Sequence, residues 1–347
     1  INQKNKTNYL NTQYQIKSDG LIITPEIEQK EPLTEQFNHW LNYINNKESC
    51  RSEHYFSKKV INYLEQFDKI EKNKPIICIA GKSSISTYGL KLVYKYYNNT
   101  HKIVYLPNPS DIGEDNWQPS LKKLGKTLNL HETTLEELYE IDDLIFISLE
   151  YEKIIKTKKF KSSKLFNIHF SNLPEYKGMY TSCLPILHGK TESGVTFHKI
   201  DDGIDTGDII DQIKFNINVT DTARDLYLKY NEYAQTLFFN NIRNVINNTY
   251  NLYPQSSINS TYYSKKTLDF SKINIDFNKT AYEVYNQIRA FTFKEYQLVK
   301  FNNISIIKGL ITNEKNFNKK PGTMIKETNE YFIISTIDYN IQLFKLM

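Results

Sequence analysis

Residues 76–80 (Ile-Ile-Cys-Ile-Ala) form an unbroken apolar run between Pro75 and Gly81. A short, continuous apolar run is typical of a strand that is buried on both faces of a sheet. Residues 103–106 and 144–148 repeat the pattern. Helical patterns separate these runs, at residues 88–97, 121–128 and 134–141. Alternating strands and helices predict right-handed crossovers and a mostly parallel sheet.

The rest of the chain extends this unit in both directions. Strand patterns at 165–170 and 194–200 and a helical pattern at 222–246 complete it. An extended linker at 262–276 is followed by a helical pattern and then by short strand patterns with turns. Upstream, apolar residues at helical spacing between 35 and 70 predict two helices. We expect these helices to pack on the main body or to make oligomer contacts, and a homodimer stays open.

The predicted fold class is therefore α/β, in three segments. Residues 75–260 are expected to form a Rossmann-like domain around a mostly parallel sheet. Residues 1–74 form an N-terminal helical extension. Residues 261–347 form a linker helix and a small β-rich domain, a partial barrel of the OB-like kind.

Composition limits the class of protein. Of 347 residues, 39% are hydrophobic and 24% are charged, which predicts a folded chain. No run of about 18 apolar residues occurs, so we expect no membrane-spanning helix. Cys50, Cys78 and Cys183 form no CxxC pair, which favours a reducing, cytoplasmic compartment over a disulfide framework. The chain starts without Met or an apolar leader, and we expect it to be a fragment.

The positive charge lies in the last part of the chain. Residues 264–347 carry 13 Lys and Arg against 8 Asp and Glu, which equals the net charge of +5 of the whole chain. An anionic partner such as a nucleotide or RNA would fit this distribution. Solvated lysines on an ordinary surface fit it equally well.

A candidate site lies where the strand at 165–170 ends. Asn167 and His169 are two residues apart, so their side chains leave the same face of the strand. The carboxyl edge of an open α/β sheet is where ligands bind, and the glycine-flanked Asp205 could reach it. An amide, an imidazole and a carboxylate suit acyl transfer, because the first two can donate to an oxyanion while the carboxylate raises an imidazole pKa. A core histidine and ordinary turn carboxylates are the alternative.

Other chemistry is disfavoured by spacing. Residues 81–84 (Gly-Lys-Ser-Ser) match neither GxGxxG nor the complete phosphate loop. His188 and His198 lack HExxH spacing, and the aspartates at 201–211 do not follow the calcium-loop pattern. Ser171 is not part of GxSxG. We therefore expect no metal and no dinucleotide.

Two sequence blocks carry a family resemblance. Residues 166–178 (Phe-Asn-Ile-His-Phe-Ser-Asn-Leu-Pro-Glu-Tyr-Lys-Gly) and 193–210 (beginning Ser-Gly-Val-Thr-Phe-His-Lys-Ile-Asp-Asp-Gly-Ile-Asp-Thr-Gly) resemble the two signatures of the formyltransferases that use N10-formyltetrahydrofolate. The resemblance implies an enzyme with this cosubstrate and no metal. It implies catalytic roles for Asn167 and His169, which would hold the oxyanion, and for Asp205, which would set the protonation of the histidine. A substrate amine would be the nucleophile.

The resemblance also implies binding residues. The folate cosubstrate would lie against two segments, with the residues Ser148, Leu149, Glu150, Tyr151, Ile154, Ile200, Asp201, Gly203 and Ile204. The segments 177–182, 262–266 and 286–297 resemble the sugar N-formyltransferases in particular. They imply that a dTDP-linked amino sugar is bound by Lys82, Lys177, Met179, Tyr180, Tyr263, Arg289, Phe293, Lys294, Tyr296 and Gln297. For Phe293, a role in the core is the alternative.

The acceptor stays open at this point. The favoured acceptor is a dTDP-4-amino-4,6-dideoxyhexose, preferably with the glucose configuration. Its 3-amino isomer is a close second. Methionyl-tRNA formyltransferase is an alternative, because the region around residues 321–323 resembles its C-terminal β domain, although nucleic acid is less favoured as a partner. A non-catalytic nucleotide-binding protein is the alternative of another class.

Overall fold

The computed structural model describes residues 16–18, 21–23, 32–45, 47, 58–65, 74–316 and 318–346. The chain forms two compact units, residues 1–72 and residues 73–347. In the described part of the chain, no helix has both the length and the apolar character needed to cross a membrane. Cys78 and Cys183 are buried, free thiols, and Cys50 lies outside the described residues.

The described part of the first unit contains a short hairpin and two helices. Strands β1 (Ile16–Ser18) and β2 (Leu21–Ile23) pair in antiparallel fashion. Helices α1 (Pro32–Ile44) and α2 (58–65) follow in the region where apolar spacing predicts helices. Sequence analysis predicts no hairpin, because strands of three residues are too short to show an alternating pattern. Residues 66–70 of the predicted helical stretch lie outside the described residues, and packing of these helices on the main body stays a prediction.

A seven-stranded sheet forms the centre of the second unit. Its order is β10-β9-β7-β6-β3-β4-β5. The strands are β3 (Ile76–Gly81), β4 (Lys102–Pro107), β5 (His131–Glu132), β6 (Leu144–Leu149), β7 (Leu165–His169), β9 (Glu192–Lys199) and β10 (Ile209–Asn216). The five neighbouring strands β7, β6, β3, β4 and β5 are parallel to one another. At the other edge, β9 pairs antiparallel with β7, and β10 pairs antiparallel with β9. The prediction of a mostly parallel sheet is confirmed.

Burial explains why the central strands read as continuous apolar runs. In β6, all six residues are buried, and in β3 five of the six are. Helices cover the sheet, so neither face of these strands meets water. The helices are α3 (Ser83–Tyr97), α4 (Leu121–Thr127), α5 (Leu135–Tyr139), α6 (Leu184–Leu187) and α7 (Ala223–Ile246).

The first turn of α3 differs from its prediction. The helix begins at Ser83, five residues before the predicted start. Ser83, Ser86 and Thr87 are buried although they are polar, because the Ser86 and Thr87 hydroxyls donate to the Ser83 carbonyl oxygen within the helix. Apolar periodicity cannot detect such a turn.

The C-terminal part has its own core. Helix α8 (Ala281–Ala290) begins with a capping box between Thr280 and Glu283. It packs on a five-stranded antiparallel sheet of order β12-β13-β16-β15-β14. The strands are β12 (Lys300–Phe301), β13 (Ile304–Lys315), β14 (Met324–Glu327), β15 (Tyr331–Ser335) and β16 (Tyr339–Lys345). The predicted small β-rich domain is confirmed. A separate two-stranded parallel pair joins β8 (Lys177–Gly178) to β11 (Tyr262–Tyr263).

Candidate active site

The site lies at a switch point of the parallel sheet. The chain leaves β3 toward β4 on one side and later returns to add β6 on the other side of β3. Such a reversal opens a crevice at the carboxyl ends of the strands. Lys82 and Glu150 follow β3 and β6, and both line a cavity of about 620 Å³ there.

Most of the predicted site residues line this one cavity. They are Lys82, Ser148, Glu150, Tyr151, Ile154, Asn167, His169, Met179, Ile200, Asp201, Gly203, Ile204, Asp205 and Tyr263. The predicted residues outside its lining are Leu149, Lys177, Tyr180, Arg289, Phe293, Lys294, Tyr296 and Gln297. Leu149 is fully buried, because alternate residues of β6 face opposite sides of the sheet and its side chain approaches α3 at Gly89.

Asn167, His169 and Asp205 meet as predicted from their positions. The Nδ2 atom of Asn167 donates to Asp205 Oδ1 at 3.3 Å. The Nδ1 atom of His169 lies 3.4 Å from Asp205 Oδ2, and its Nε2 atom donates to the Tyr176 carbonyl oxygen at 2.8 Å. Both ring nitrogens therefore face oxygen acceptors, which orients the imidazole. The Gly178 N–H also donates to Asp205 Oδ2, at 2.9 Å.

His198 is a fourth member of this cluster, and sequence analysis considers it only as a metal ligand. It lies opposite Asn167 in the pairing of β7 with β9 and is 2% exposed. Its Nδ1 atom lies 2.7 Å from the Lys199 carbonyl oxygen, which can only accept, so Nδ1 carries the proton. Its Nε2 atom lies 3.1 Å from Asn167 Nδ2 and 3.6 Å from Asp205 Oδ1. The second sequence block contains His198, but only the sheet register brings it to Asn167.

Asp205 is held in its charged form. Burial alone would raise the pKa of its carboxyl group, but the charge of His169, the hydrogen bond and charge of His198 and the Gly178 N–H outweigh burial. Together they hold the pKa well below its ordinary range. The carboxylate therefore stays negative beside the imidazole at any working pH.

Backbone strain concentrates around the cavity. Five residues other than Asn and Gly adopt positive φ among those the structure describes: Ser83 (69°), Glu150 (62°), Tyr176 (57°), Tyr180 (64°) and Asp205 (54°). Glu150 and Asp205 line the cavity, and Ser83 and Tyr180 are next to lining residues in the chain. Tyr176 accepts a hydrogen bond from His169, which also lines the cavity. Each such conformation costs on the order of 1 kcal/mol, so the surrounding structure must hold it in place.

The half-buried Glu150 carboxylate lies at the lining of the cavity. Glu150 accepts hydrogen bonds from the Ser83 hydroxyl and from the Tyr227 hydroxyl, the latter at 2.8 Å. Burial raises the pKa of Glu150, although these hydrogen bonds and the charge of Lys82 oppose it. The Asn108 side chain fixes the same loop, donating to the Glu150 carbonyl oxygen at 2.9 Å and accepting from the Glu152 N–H at 3.0 Å. No sequence pattern marks Asn108, because an asparagine after a strand resembles an ordinary turn residue.

The predicted acceptor-binding residues at 289–297 have mixed environments. Arg289 is 4% exposed and donates to Asn286 Oδ1 and to the carbonyl oxygens of Asn218 and Asp221. Burial lowers the pKa of its guanidinium group. Phe293 is 3% exposed, whereas Lys294 and Tyr296 are exposed and Gln297 is half-buried.

Two other predicted residues bond to the segment that follows α7. The Lys177 ammonium donates to the Ser260 hydroxyl at 3.0 Å. The Tyr180 hydroxyl donates to the Lys265 carbonyl oxygen at 2.7 Å. This segment also supplies cavity residues that sequence analysis did not assign, namely Tyr262, Ser264 and Lys265. Among the described residues, no group of three or more His, Cys, Asp or Glu side chains could hold a metal ion.

Comparisons with known proteins find two family matches in the chain. The family "Formyl transferase" matches residues 124–242, and "Formyl transferase, C-terminal domain" matches residues 269–346. A methionyl-tRNA formyltransferase from Malacoplasma penetrans is 27% identical over 282 residues, which is 78% of this chain and 87% of that protein.

Two solved structures are much more similar. The N-formyltransferase from Helicobacter canadensis, in complex with folinic acid and dTDP-3-aminofucose, is 48% identical with a TM-score of 0.72. The match covers 78% of this chain and 99% of that one. WlaRD, a sugar 3N-formyl transferase solved with dTDP and 5-N-formyl-THF, is 49% identical with a TM-score of 0.72, covering 78% of this chain and 97% of its own. With both domains matched in order and near-half identity across whole relatives, the chain belongs to the formyltransferase family of enzymes.

Proposed function

We propose that this enzyme transfers the formyl group of N10-formyltetrahydrofolate to the amine of a dTDP-linked 3-amino sugar. One observation carries the proposal: the Asn167 amide, the His169 imidazole and the Asp205 carboxylate meet at the wall of one cavity. The family membership supports the reaction class.

The donor would occupy the part of the cavity between the end of β6 and the loop after β9. Tyr151, Ile154 and Ile200 give this part apolar walls. Asp201, Gly203 and Ile204 of the following loop line it as well, and we expect their backbone groups to meet the polar edge of the donor. A flat pterin with a polar rim fits such a slot.

The reaction follows from the cluster. The amine nitrogen of the sugar attacks the formyl carbon, the new N–C bond forms, and the carbonyl electrons move to oxygen. Asn167 supplies an N–H donor for this oxyanion, and one preorganised donor is typically worth about 3 kcal/mol. The Nε2–H of His169 is bonded to the Tyr176 carbonyl oxygen, so His169 takes up the proton of the amine at Nδ1, beside Asp205. The Asn167 bond to Asp205 is long, at 3.3 Å, and is the one we expect to be exchanged for the oxyanion. Collapse breaks the bond from carbon to N10, which takes up a proton while the amine loses one.

Asp205 has an electrostatic role in this scheme. Its depressed pKa keeps it negative, so it stabilises positive charge on His169 as the proton moves. Its other contacts, with His198 and Gly178, prevent rotation of the carboxylate.

The relatives favour a 3-amino sugar. One of the two similar solved structures contains dTDP-3-aminofucose, and the other is described as a sugar 3N-formyl transferase. We therefore propose the 3-amino isomer in place of the 4-amino isomer that sequence analysis favours.

The test is incubation with N10-formyltetrahydrofolate and matched 3-amino and 4-amino dTDP sugars, followed by mass spectrometry. We expect the gain of one formyl group on the 3-amino sugars and a much lower kcat/KM on the 4-amino sugars. His169→Asn serves as the matched inactive control. Absence of product from every dTDP-amino sugar would contradict the proposal, and a preference for 4-amino sugars would contradict the isomer.

Methionyl-tRNA is the second candidate acceptor. The similarity to the Malacoplasma penetrans enzyme favours it. The positive charge of residues 264–347, with 13 Lys and Arg against 8 Asp and Glu, also favours it. Binding that neutralises many phosphates weakens steeply with salt, whereas binding of one nucleotide sugar does not. Formylation of methionyl-tRNA with a steep loss of affinity between low and high salt would establish this alternative.

A further inference from the structure

The segment that follows α7 contacts both loops of the catalytic cluster. We call residues 250–265 the connector, residues 174–179 the histidine loop and residues 201–208 the aspartate loop. The first family match ends at residue 242 and the second begins at residue 269, so neither includes the connector. Its hydrogen bonds give it a role beyond linking two domains.

Gln255 holds the aspartate loop. Its Nε2 atom donates to the carbonyl oxygens of Asp205 and Gly207, each at 2.8 Å. The Oε1 atom of Gln255 is buried and has no hydrogen-bond partner among the described residues. A buried orphan acceptor is costly, so the position of this amide is dictated by its two N–H bonds to the loop. Those bonds fix the backbone at Asp205, where φ is 54°.

The aspartate loop is also narrow at this point. A Cβ atom at Gly207 would lie 2.0 Å from the Lys199 carbonyl oxygen, so only glycine fits. Tyr253 of the connector pairs with Ile209 through two backbone hydrogen bonds of 2.8 Å, directly after the loop. The connector thus bonds to the aspartate loop at two points. Gln255 contacts residues inside the loop, and Tyr253 contacts the residue that follows it.

Thr261 holds the histidine loop. Its Oγ1 atom accepts from the Tyr176 N–H at 2.7 Å, and its backbone bonds to Pro174 and Lys177 at 3.1 and 3.0 Å. Tyr176 is the residue whose carbonyl oxygen accepts from His169. Thr261 therefore fixes the acceptor that orients the imidazole.

We infer that the connector acts as a clamp in which Gln255 and Thr261 are positioning residues for Asp205 and His169. The two loops that the connector holds are joined directly by the hydrogen bond from the Gly178 N–H to the Asp205 carboxylate. This inference rests on the proposed function for its catalytic consequence. Its structural part, the joining of the two loops, can be measured without any substrate.

The experiment compares Gln255→Met and Thr261→Val with Thr261→Ser, which keeps the hydroxyl group. Ile258→Ser is the matched control, because Ile258 lies in the connector and is 73% exposed. A misplacement of about 1 Å can cost about 100-fold in rate. We expect kcat to fall about 10- to 100-fold in Gln255→Met and Thr261→Val, with both KM values nearly unchanged. Thr261→Ser and Ile258→Ser should keep the wild-type kcat.

Hydrogen exchange of the Gly178 amide gives a readout that needs no activity. We expect exchange to accelerate about tenfold or more in Gln255→Met and Thr261→Val but not in the two controls. Unchanged exchange in both variants, or an unchanged kcat, would overturn the clamp. If the wild-type protein formylates no sugar, the proposed function fails, and the exchange result alone decides the inference. If one variant does not fold, the other gives the answer.

Discussion

The strand edge around His169 and the segment at 286–297 contain similar residues, but the structure uses them differently. Both combine polar or charged side chains with aromatic ones, and sequence analysis places both in one active site. His169 and Asn167 line the cavity, whereas Arg289 and Phe293 are buried away from its lining. Residue type alone therefore predicts a binding role for both regions. Their packing shows that only the strand edge lines the cavity.

Arg289 shows the difference most clearly. Its guanidinium group bonds to Asn286 Oδ1 and to the carbonyl oxygens of Asn218 and Asp221, which precede α7. It thereby ties α8 to the start of α7. At the strand edge, by contrast, the polar groups bond to one another while they remain in contact with the cavity.

The largest expected effect is at the strand edge. His169→Asn should lower kcat about 10³-fold, or ~4 kcal/mol in the barrier, because it removes the imidazole that takes up the proton of the amine. Stopped assays with the dTDP-amino sugar measure kcat, and thermal unfolding checks the fold. A folded variant with wild-type kcat would remove His169 from the mechanism.

A large effect of another kind is expected at Phe293. Its ring packs against Trp117 at 5.5 Å and Tyr227 at 5.6 Å between centroids. Phe293→Ala should lower the free energy of unfolding by about 3 kcal/mol, because it leaves a cavity in a packed cluster. Urea unfolding measures this loss. A stable variant with a raised KM for the nucleotide sugar would instead show that Phe293 stacks on the substrate.

Arg289→Met should have a somewhat smaller effect on stability. Removal of the guanidinium group leaves the buried carbonyl oxygen of Asp221 without this donor and removes the bond to the Asn218 carbonyl oxygen, which costs about 2 kcal/mol. Urea unfolding again gives the value, and Lys294→Met, at an exposed site, is the control. If Arg289→Met kept its stability but bound the nucleotide sugar far more weakly, Arg289 would contact the diphosphate after all.

The smallest effect concerns pH and Asp205. Its folded pKa lies below the ordinary value of 3.8, so it binds fewer protons folded than unfolded. The stability that it contributes is present above that ordinary value and is lost as the pH falls toward the folded pKa. In Asp205→Asn, this part of the acid-induced loss should be missing, which unfolding curves between neutral and acidic pH can show. Identical pH dependence in both proteins would mean that His169, His198 and Gly178 do not hold the carboxylate as described.

Some of the site could be anticipated from local pattern alone. The two-residue spacing of Asn167 and His169 implies a shared face, and the end of the strand implies the sheet edge. The glycines that flank Asp205 indicate a loop, and at Gly207 a Cβ atom would clash with the Lys199 carbonyl oxygen. These features depend on neighbours in the chain.

Other parts could not be anticipated. The partnership of His198 with Asn167 depends on the register between β7 and β9. Asn108 bonds to residues 42 and 44 positions away, and Gln255 to residues 48 and 50 positions away. No local pattern encodes such distances, because the side chains are ordinary turn or linker residues until the fold brings them together.

The amino-acid sequence by itself determined the alternation of strands and helices, the edge that carries the histidine and the residue types available for acyl transfer. These follow from hydrophobic period and strand geometry, which act over a few residues. Only the tertiary structure decided which polar side chains meet the cavity and which are used to hold helices and loops together. The reason is that burial and hydrogen-bond pairing depend on groups distant in the chain, so the same arginine or glutamine can serve a substrate or its own backbone.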